Sequence, residues 1–293
     1  MILAPFFANL LPGETLHETS AMNLSAMKPS DAHFPSAVAA LYDRCLGPLL
    51  FEPYAEDLAR RAAALAPKRI LETAAGTGVV TEALLKAMPD AAIIATDLNL
   101  AMLDAAKARL GDAKVDYRVV DAQALPFEDG RFDLVVCQFG VMFFPDRVGA
   151  YREARRVLKP GGHFLFNAWG SLEENAGSLA VAKAVASAFP DDPPSFLERT
   201  PFGYHDMAQV EADLSAAGFT EIDGERVEKR SRLSSARDAA TGLCLGSPLR
   251  GEIEARDPSR LDEMVDRAAA ALAPFEGAGG LDAPMSANVF LAA

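Results

Sequence analysis

Positive charge, cysteine and long apolar runs are all scarce in this sequence. Its 293 residues carry 28 Lys and Arg against 41 Asp and Glu, a formal net charge of −13. A surface so acidic is poorly suited to neutralising phosphates, so nucleic acid is not an expected partner. Cys45, Cys137 and Cys244 stand far apart in the chain, which fits neither a disulfide framework nor a zinc site, and no metal is expected. No stretch approaches the roughly 18 uninterrupted apolar residues that a membrane span needs. Residues 1–11 are apolar, but no Lys or Arg precedes Lys28, so the charged start of a secretory signal is missing and a cytoplasmic protein is expected. What the chain does have is apolar content, 50%, ample for a core and too high for a disordered chain.

The pattern along the chain divides it into four stretches. Residues 1–30 read as a flexible N-terminal arm. Residues 31–66 hold two helices, the first opened by Pro35 and broken at Gly47-Pro48, the second opened by Pro53. Residues 67–170 alternate short apolar strands with helices. The strands are Arg69–Thr73, Ala91–Thr96, Val115–Val120, Phe132–Gln138 and His163–Trp169. Such alternation implies parallel βαβ units, hence an α/β, doubly wound, Rossmann-like sheet. Residues 171–293 change character. Helical runs and a Pro-rich loop (190–201) precede a polar alternating strand near Glu221–Arg232, and an apolar strand, Ser286–Leu291, ends the chain.

The chemistry gathers at strand ends. Between the first strand and its helix lies Leu71-Glu72-Thr73-Ala74-Ala75-Gly76-Thr77-Gly78, whose small residues permit a tight turn and close approach of a ligand. In a doubly wound sheet this rim is where nucleotides bind. Asp97, 19 residues after Gly78 at the end of the second strand, can accept both hydroxyls of a ribose. Asp121-Ala122 ends the third strand, where a carboxylate can accept from an adenine amino group. Cys137-Gln138-Phe139-Gly140 ends the fourth. Four consecutive strand ends thus carry polar or small groups on one rim.

These residues resemble the class I S-adenosylmethionine-dependent methyltransferases, most of all the ubiquinone/menaquinone-biosynthesis C-methyltransferase-like (type 11) group. The matching stretches are LETAAGTG (71–78), ATDLNLAMLDAA (95–106), DAQALPFEDGRFDLVVCQFGVMFFPD (121–146) and RRVLKPGGHFLFNAW (155–169). The resemblance implies a seven-stranded sheet whose antiparallel last strand is inserted between the fifth and sixth, with helical lid insertions. It implies S-adenosyl-L-methionine as cofactor and S-adenosyl-L-homocysteine as product. By position, Glu72, Ala74, Gly76 and Gly78 would approach the methionine part of the cofactor. Asp97 would hold the ribose, with Leu98 and Met102 beside the adenosine. Asp121 and Ala122 would meet the adenine, Gln138 and Phe139 would line the passage to the acceptor, and Tyr42 would cap the cofactor. The first glycine of the common motif is Ala74 here, an exchange the turn tolerates if φ is negative.

Met142, Phe143, Trp169, Phe202, Tyr204 and His205 are the candidates for an acceptor pocket, with Phe144, Phe189 and Phe196 as further apolar neighbours, and His205 is the one candidate general base. The rival use of the fold, an NAD(P)-dependent oxidoreductase, would want G-x-G-x-x-G, but Thr81 stands at the third position and no Tyr-x3-Lys pair exists. A non-catalytic cofactor-binding protein is the second alternative. The expected reaction is methyl transfer by in-line displacement to a C, O or N atom of a small, rather apolar molecule.

Overall fold

The computed structural model of the chain describes Asp31 and residues 36–293; the expected arm 1–30 and the helix-opening Pro35 lie outside the described residues. Short apolar runs form the centre of the sheet because strands covered by helices on both faces must be apolar on both. Phe132–Gln138 (β4), FDLVVCQ, is buried at nearly every position. It pairs in parallel with Arg69–Glu72 (β1) on one side and Leu158–Trp169 (β5) on the other. Ala92–Asp97 (β2) and Val115–Val119 (β3) extend the sheet beyond β1, also in parallel. Ile222–Leu233 (β6), the two-residue Glu276–Gly277 (β7) and Gly280–Ala292 (β8) complete it. The order is β3-β2-β1-β4-β5-β8-β6, with β8 antiparallel to both β5 and β6 and with β7 paired to β8. The last strand is therefore inserted where the resemblance placed it.

Helices Val79–Ala87 (α3), Leu100–Leu110 (α4) and Arg147–Val157 (α5) make the crossovers. Capping residues bound several of the helices. Asn99 precedes α4 and Gly111 follows it. Asp206 accepts from the Ala208 N–H ahead of Met207–Ala217 (α8), and Gly218 closes that helix at φ 98°.

The N-terminal helices depart from expectation. Gly47-Pro48 does not break the chain: Ser36–Leu41 (α1) runs into a ten-residue π-helix, Tyr42–Phe51, and then directly into Glu52–Ala64 (α2). The Glu52 N–H donates to the Gly47 carbonyl across the wider turn. Burial of Cys45, Leu46, Leu49 and Phe51 holds this register despite Pro48, which lacks an N–H to donate. The segment after β5 supplies Ala176–Ala186 (α6), Phe196–Arg199 (α7), Ala236–Leu245 (α9), Leu249–Arg256 (α10) and Leu261–Leu272 (α11). A short turn at Pro258–Arg260 leads into α11. Among the described residues no helix is long and apolar enough to cross a membrane.

Candidate active site

The turn after β1 rises from the sheet in left-handed steps, at Ala74 (φ 51°), Gly76 (φ 56°) and Gly78 (φ 81°). The negative φ required for a comfortable Ala74 is therefore not what the turn adopts. A left-handed alanine costs roughly 1–2 kcal/mol. The turn is fixed from outside: the Ala75 N–H donates to the Thr96 carbonyl at 2.9 Å, and the Gly76 N–H to Asp97 Oδ2 at 2.9 Å. Asp97 Oδ1 accepts from the Asn99 N–H at 2.8 Å. The Asn99 side chain and the Leu98 N–H also bear on the carboxylate. Burial raises the Asp97 carboxyl above its ordinary value, against the pull of the Asn99 and Gly76 N–H groups.

A single cavity of about 400 Å³ opens on this rim and follows the order of the strands. Asp97, Leu98, Met102, Asp121 and Ala122 line it at the ends of β2 and β3. Ala74, Gly76, Gln138 and Phe139 line it over β1 and β4, and Tyr42 closes it from the π-helix. Beyond them the wall is aromatic and aliphatic: Phe143, Trp169, Phe196, Phe202 and Leu243. The two parts meet at Phe139, held at φ 50° because its N–H donates to Asn167 Oδ1 at 2.9 Å. Its ring stacks on Trp169 with centroids 3.7 Å apart and planes 6° from parallel. The edge of Tyr54 meets both rings, and Tyr42 stacks on Phe51 at 4.9 Å. Tyr54 itself is buried and donates to the Val227 carbonyl at 3.0 Å.

Two of the expected cofactor residues stand behind the wall. Glu72 is 1% exposed and accepts from the Thr81 hydroxyl at 2.6 Å; burial pushes its carboxyl up to about 8. Gly78 serves helix packing, since a Cβ there would lie 2.9 Å from Ala106 Cβ. Among the expected acceptor residues, Phe143, Trp169 and Phe202 line the cavity, while Met142, Tyr204 and His205 do not. Met142 is buried in the core. The Tyr204 hydroxyl donates to Asp213 Oδ2 at 2.6 Å, and Arg147 lies 4.2 Å over its ring, so the side chain is committed elsewhere. His205 is exposed, with Nδ1 2.8 Å from the Phe202 carbonyl. Among the described residues the cavity wall holds no His, Lys, Arg or Cys. Its remaining titratable groups are Asp97, Asp121 and Tyr42, and burial drives the Tyr42 hydroxyl far above its usual value.

The sequence did not point to Leu46, Leu50 and Phe51 on the π-helix, nor to Ser178, Leu197, Leu243, Ser247 and Pro248. Phe144 and Phe196, noted for their apolar character, do line the cavity; Phe189 instead lies under the Arg260 guanidinium, 4.6 Å from its ring centre.

Known proteins share both sequence and architecture with this chain. A family model described as a methyltransferase domain matches residues 71–166. A demethylmenaquinone methyltransferase of Clavibacter sepedonicus is 32% identical over 179 residues, covering 56% of this chain and 70% of the relative. A ubiquinone/menaquinone biosynthesis C-methyltransferase of Methylobacterium nodulans is 40% identical over 103 residues, 34% of this chain and 41% of that protein. Among solved structures, phosphoethanolamine N-methyltransferase 2 of Haemonchus contortus in complex with S-adenosyl-L-methionine aligns with TM-score 0.55 and 19% identity, over 88% of this chain and 57% of that one. The [4+2]-cyclase SpnF aligns with TM-score 0.55 and 21% identity, over 88% and 92% of the two chains. At such identities the structures share the fold alone.

Proposed function

The chain belongs to the class I S-adenosylmethionine-dependent methyltransferases, and from that premise we propose that it methylates a small, rather apolar acceptor held in the aromatic part of the cavity. The observation that carries this reading is the continuity of one cavity from a carboxylate-lined part to an aromatic part through Gln138 and Phe139. The residues fit the cofactor. Asp97 lines the cavity at the ribose position, and Asp121 offers a carboxylate at the adenine position. Leu98, 58% exposed, presents apolar surface that an adenosine would cover. Gln138 Oε1 is buried without a partner, while its Nε2 reaches the Phe51 carbonyl at 3.3 Å. A reading as an NAD(P)-dependent oxidoreductase falls away with the family assignment.

When bound, S-adenosylmethionine supplies an electrophilic methyl on a sulfonium, so a nucleophilic atom of the acceptor forms the new bond to carbon as the S–CH3 bond breaks. The chain's own part is alignment and exclusion of water. Asp97 and Asp121 fix the nucleoside, and Phe139 and Trp169 form a rigid wall between it and the acceptor. The π-helix, α7, α9 and the start of α10 cover the rim as a lid. With His205 outside the cavity, no side chain there acts as a strong base, so the acceptor arrives already nucleophilic or gives its proton to water. A demethylated quinone, the substrate in the name of the Clavibacter relative, is one member of that class.

Calorimetric titration with S-adenosylmethionine and S-adenosylhomocysteine tests the reading. Saturable binding is expected, weakened in Asp97→Ala by about 1.5–3 kcal/mol, at least tenfold in Kd. Equal affinity in that variant would mean that the ribose lies elsewhere.

A further inference from the structure

Ser178 is 5% exposed and lines the cavity from the first turn of α6. Its surroundings in the wall are apolar: Phe196, Leu197, Phe202 and Leu243 belong to the same cavity. A helical serine normally folds its hydroxyl back on to a carbonyl of its own helix. Ser187, Thr241 and Ser247 do so here, donating to Ala184, Arg237 and Leu243 carbonyls at 2.8, 2.8 and 2.7 Å. Among the described residues Ser178 Oγ has no such bond and no other hydrogen-bond partner. Open to the cavity rather than sealed in the core, the hydroxyl loses its water when an occupant fills the space, a desolvation that is costly if no bond replaces it. A ligand that brings an oxygen to it removes that cost, whereas a purely apolar ligand makes it permanent.

We propose that Ser178 is a specificity-determining residue that binds a hydroxyl or carbonyl oxygen on an otherwise apolar, ring-sized methyl acceptor. The inference rests on the methyltransferase reading of the cavity and narrows its substrate class. Carbocycles bearing an enol, phenol or ketone oxygen are accepted, and plain hydrocarbons of the same shape are disfavoured. The oxygen also supplies what the wall lacks. A phenol or enol oxygen donates electron density to the ring, whose displaced proton then leaves to water, or is itself the nucleophile and gives its own proton to water; a ketone oxygen serves as the anchor alone.

The test uses the full chain saturated with S-adenosylhomocysteine and a matched pair of probes, 1-naphthol and naphthalene, titrated calorimetrically. The wild type is expected to bind 1-naphthol about tenfold more tightly than naphthalene, one hydrogen bond in a desolvated site. In Ser178→Ala that preference collapses towards unity, while the affinity for S-adenosylhomocysteine stays unchanged and shows that the variant is folded. Ser187→Ala, outside the cavity and with its hydroxyl already bonded to the Ala184 carbonyl, retains the preference. Persistence of the tenfold preference in Ser178→Ala, or no preference in the wild type, would overturn the assignment. Failure of the wild type to bind S-adenosylhomocysteine at all would instead sink the underlying cofactor reading, and the inference with it.

Discussion

Ala74 and Gly140 divide one space between them. A Cβ on Gly140 would lie 2.5 Å from Ala74 Cβ and 2.7 Å from Cys137 Sγ, so the turn accepts a side chain at Ala74 only because Gly140 has none. Gly140→Ala is expected to destabilise the fold by about 1–3 kcal/mol, and Ala74→Gly to restore part of that loss by removing both the contact and the left-handed strain. Denaturant unfolding of the single and double variants checks the coupling; strict additivity would deny it. Glu72 makes a second prediction. Its carboxyl is raised from 4.5 to about 8, so the folded state holds a proton that the unfolded chain releases. The stability tied to that proton is complete below about pH 4.5 and is lost as pH rises through about 8. Relative to Glu72→Gln, the wild type is expected to lose up to about 1.4 kcal/mol per pH unit inside that window. Parallel melting profiles from pH 5 to 8 would contradict it. At this scale the cavity positions of Asp97 and Asp121 were legible, because a strand-end residue is set on the rim. Glu72 lies behind the cavity wall, which the sequence does not convey, because an acid at the end of β1 looks the same whether it faces a ligand or the core.

The π-helix and α7 show what local pattern cannot convey. Gly47-Pro48 is a strong break signal, yet tertiary burial carries the chain through it in a wider helical register. That register places Tyr42, Leu46, Leu50 and Phe51 on the cavity wall. An ion pair tethers the same helix to the sheet domain: Arg109 on α4 meets Asp43 at 2.5 Å and Glu82 at 3.1 Å. On the acceptor side, Arg199 at the end of α7 is buried between Asp31 and Glu252, with Arg199 Nη2 2.9 Å from Glu252 Oε1. Glu252 also accepts from the Ser195 and Phe196 N–H groups at 2.7 and 2.9 Å, so it anchors the turn that presents Phe196. Removing the guanidinium leaves buried carboxylates uncompensated. Arg199→Met is expected to cost about 3–5 kcal/mol in denaturant unfolding, and a loss under 1 kcal/mol would show the network to be dispensable. Neither tether is legible in sequence, because Asp31, Arg199 and Glu252 become neighbours only in the folded chain.

Over the whole molecule, the sheet order and the position of the cofactor rim were legible because they follow from alternating strands and from the residues that end them. The aromatic part of the cavity was not, since Ser178, Phe196 and Leu243 come from three separate segments folded over the rim. His205 illustrates the difference: residue type nominated it, and the fold left it on the outside. The acidic excess is divided as well. Asp97 and Asp121 face the cavity and Glu72 is buried beneath it. Many of the other acids form exposed pairs, such as Arg237 with Asp266 and Arg230 with Asp282. Such pairs contribute little individually to stability.

The central claim is that one continuous cavity holds the nucleoside against Asp97 and opens through Gln138–Phe139 on an aromatic acceptor chamber. A crystal structure of the chain with S-adenosylhomocysteine tests it most directly. The account predicts ribose hydroxyls on the Asp97 carboxylate, adenine beside Asp121 and Ala122, and the thioether sulfur directed towards Phe139 and the chamber beyond. A ligand bound away from Asp97, or one whose sulfur faces away from the chamber containing Trp169 and Ser178, would contradict it.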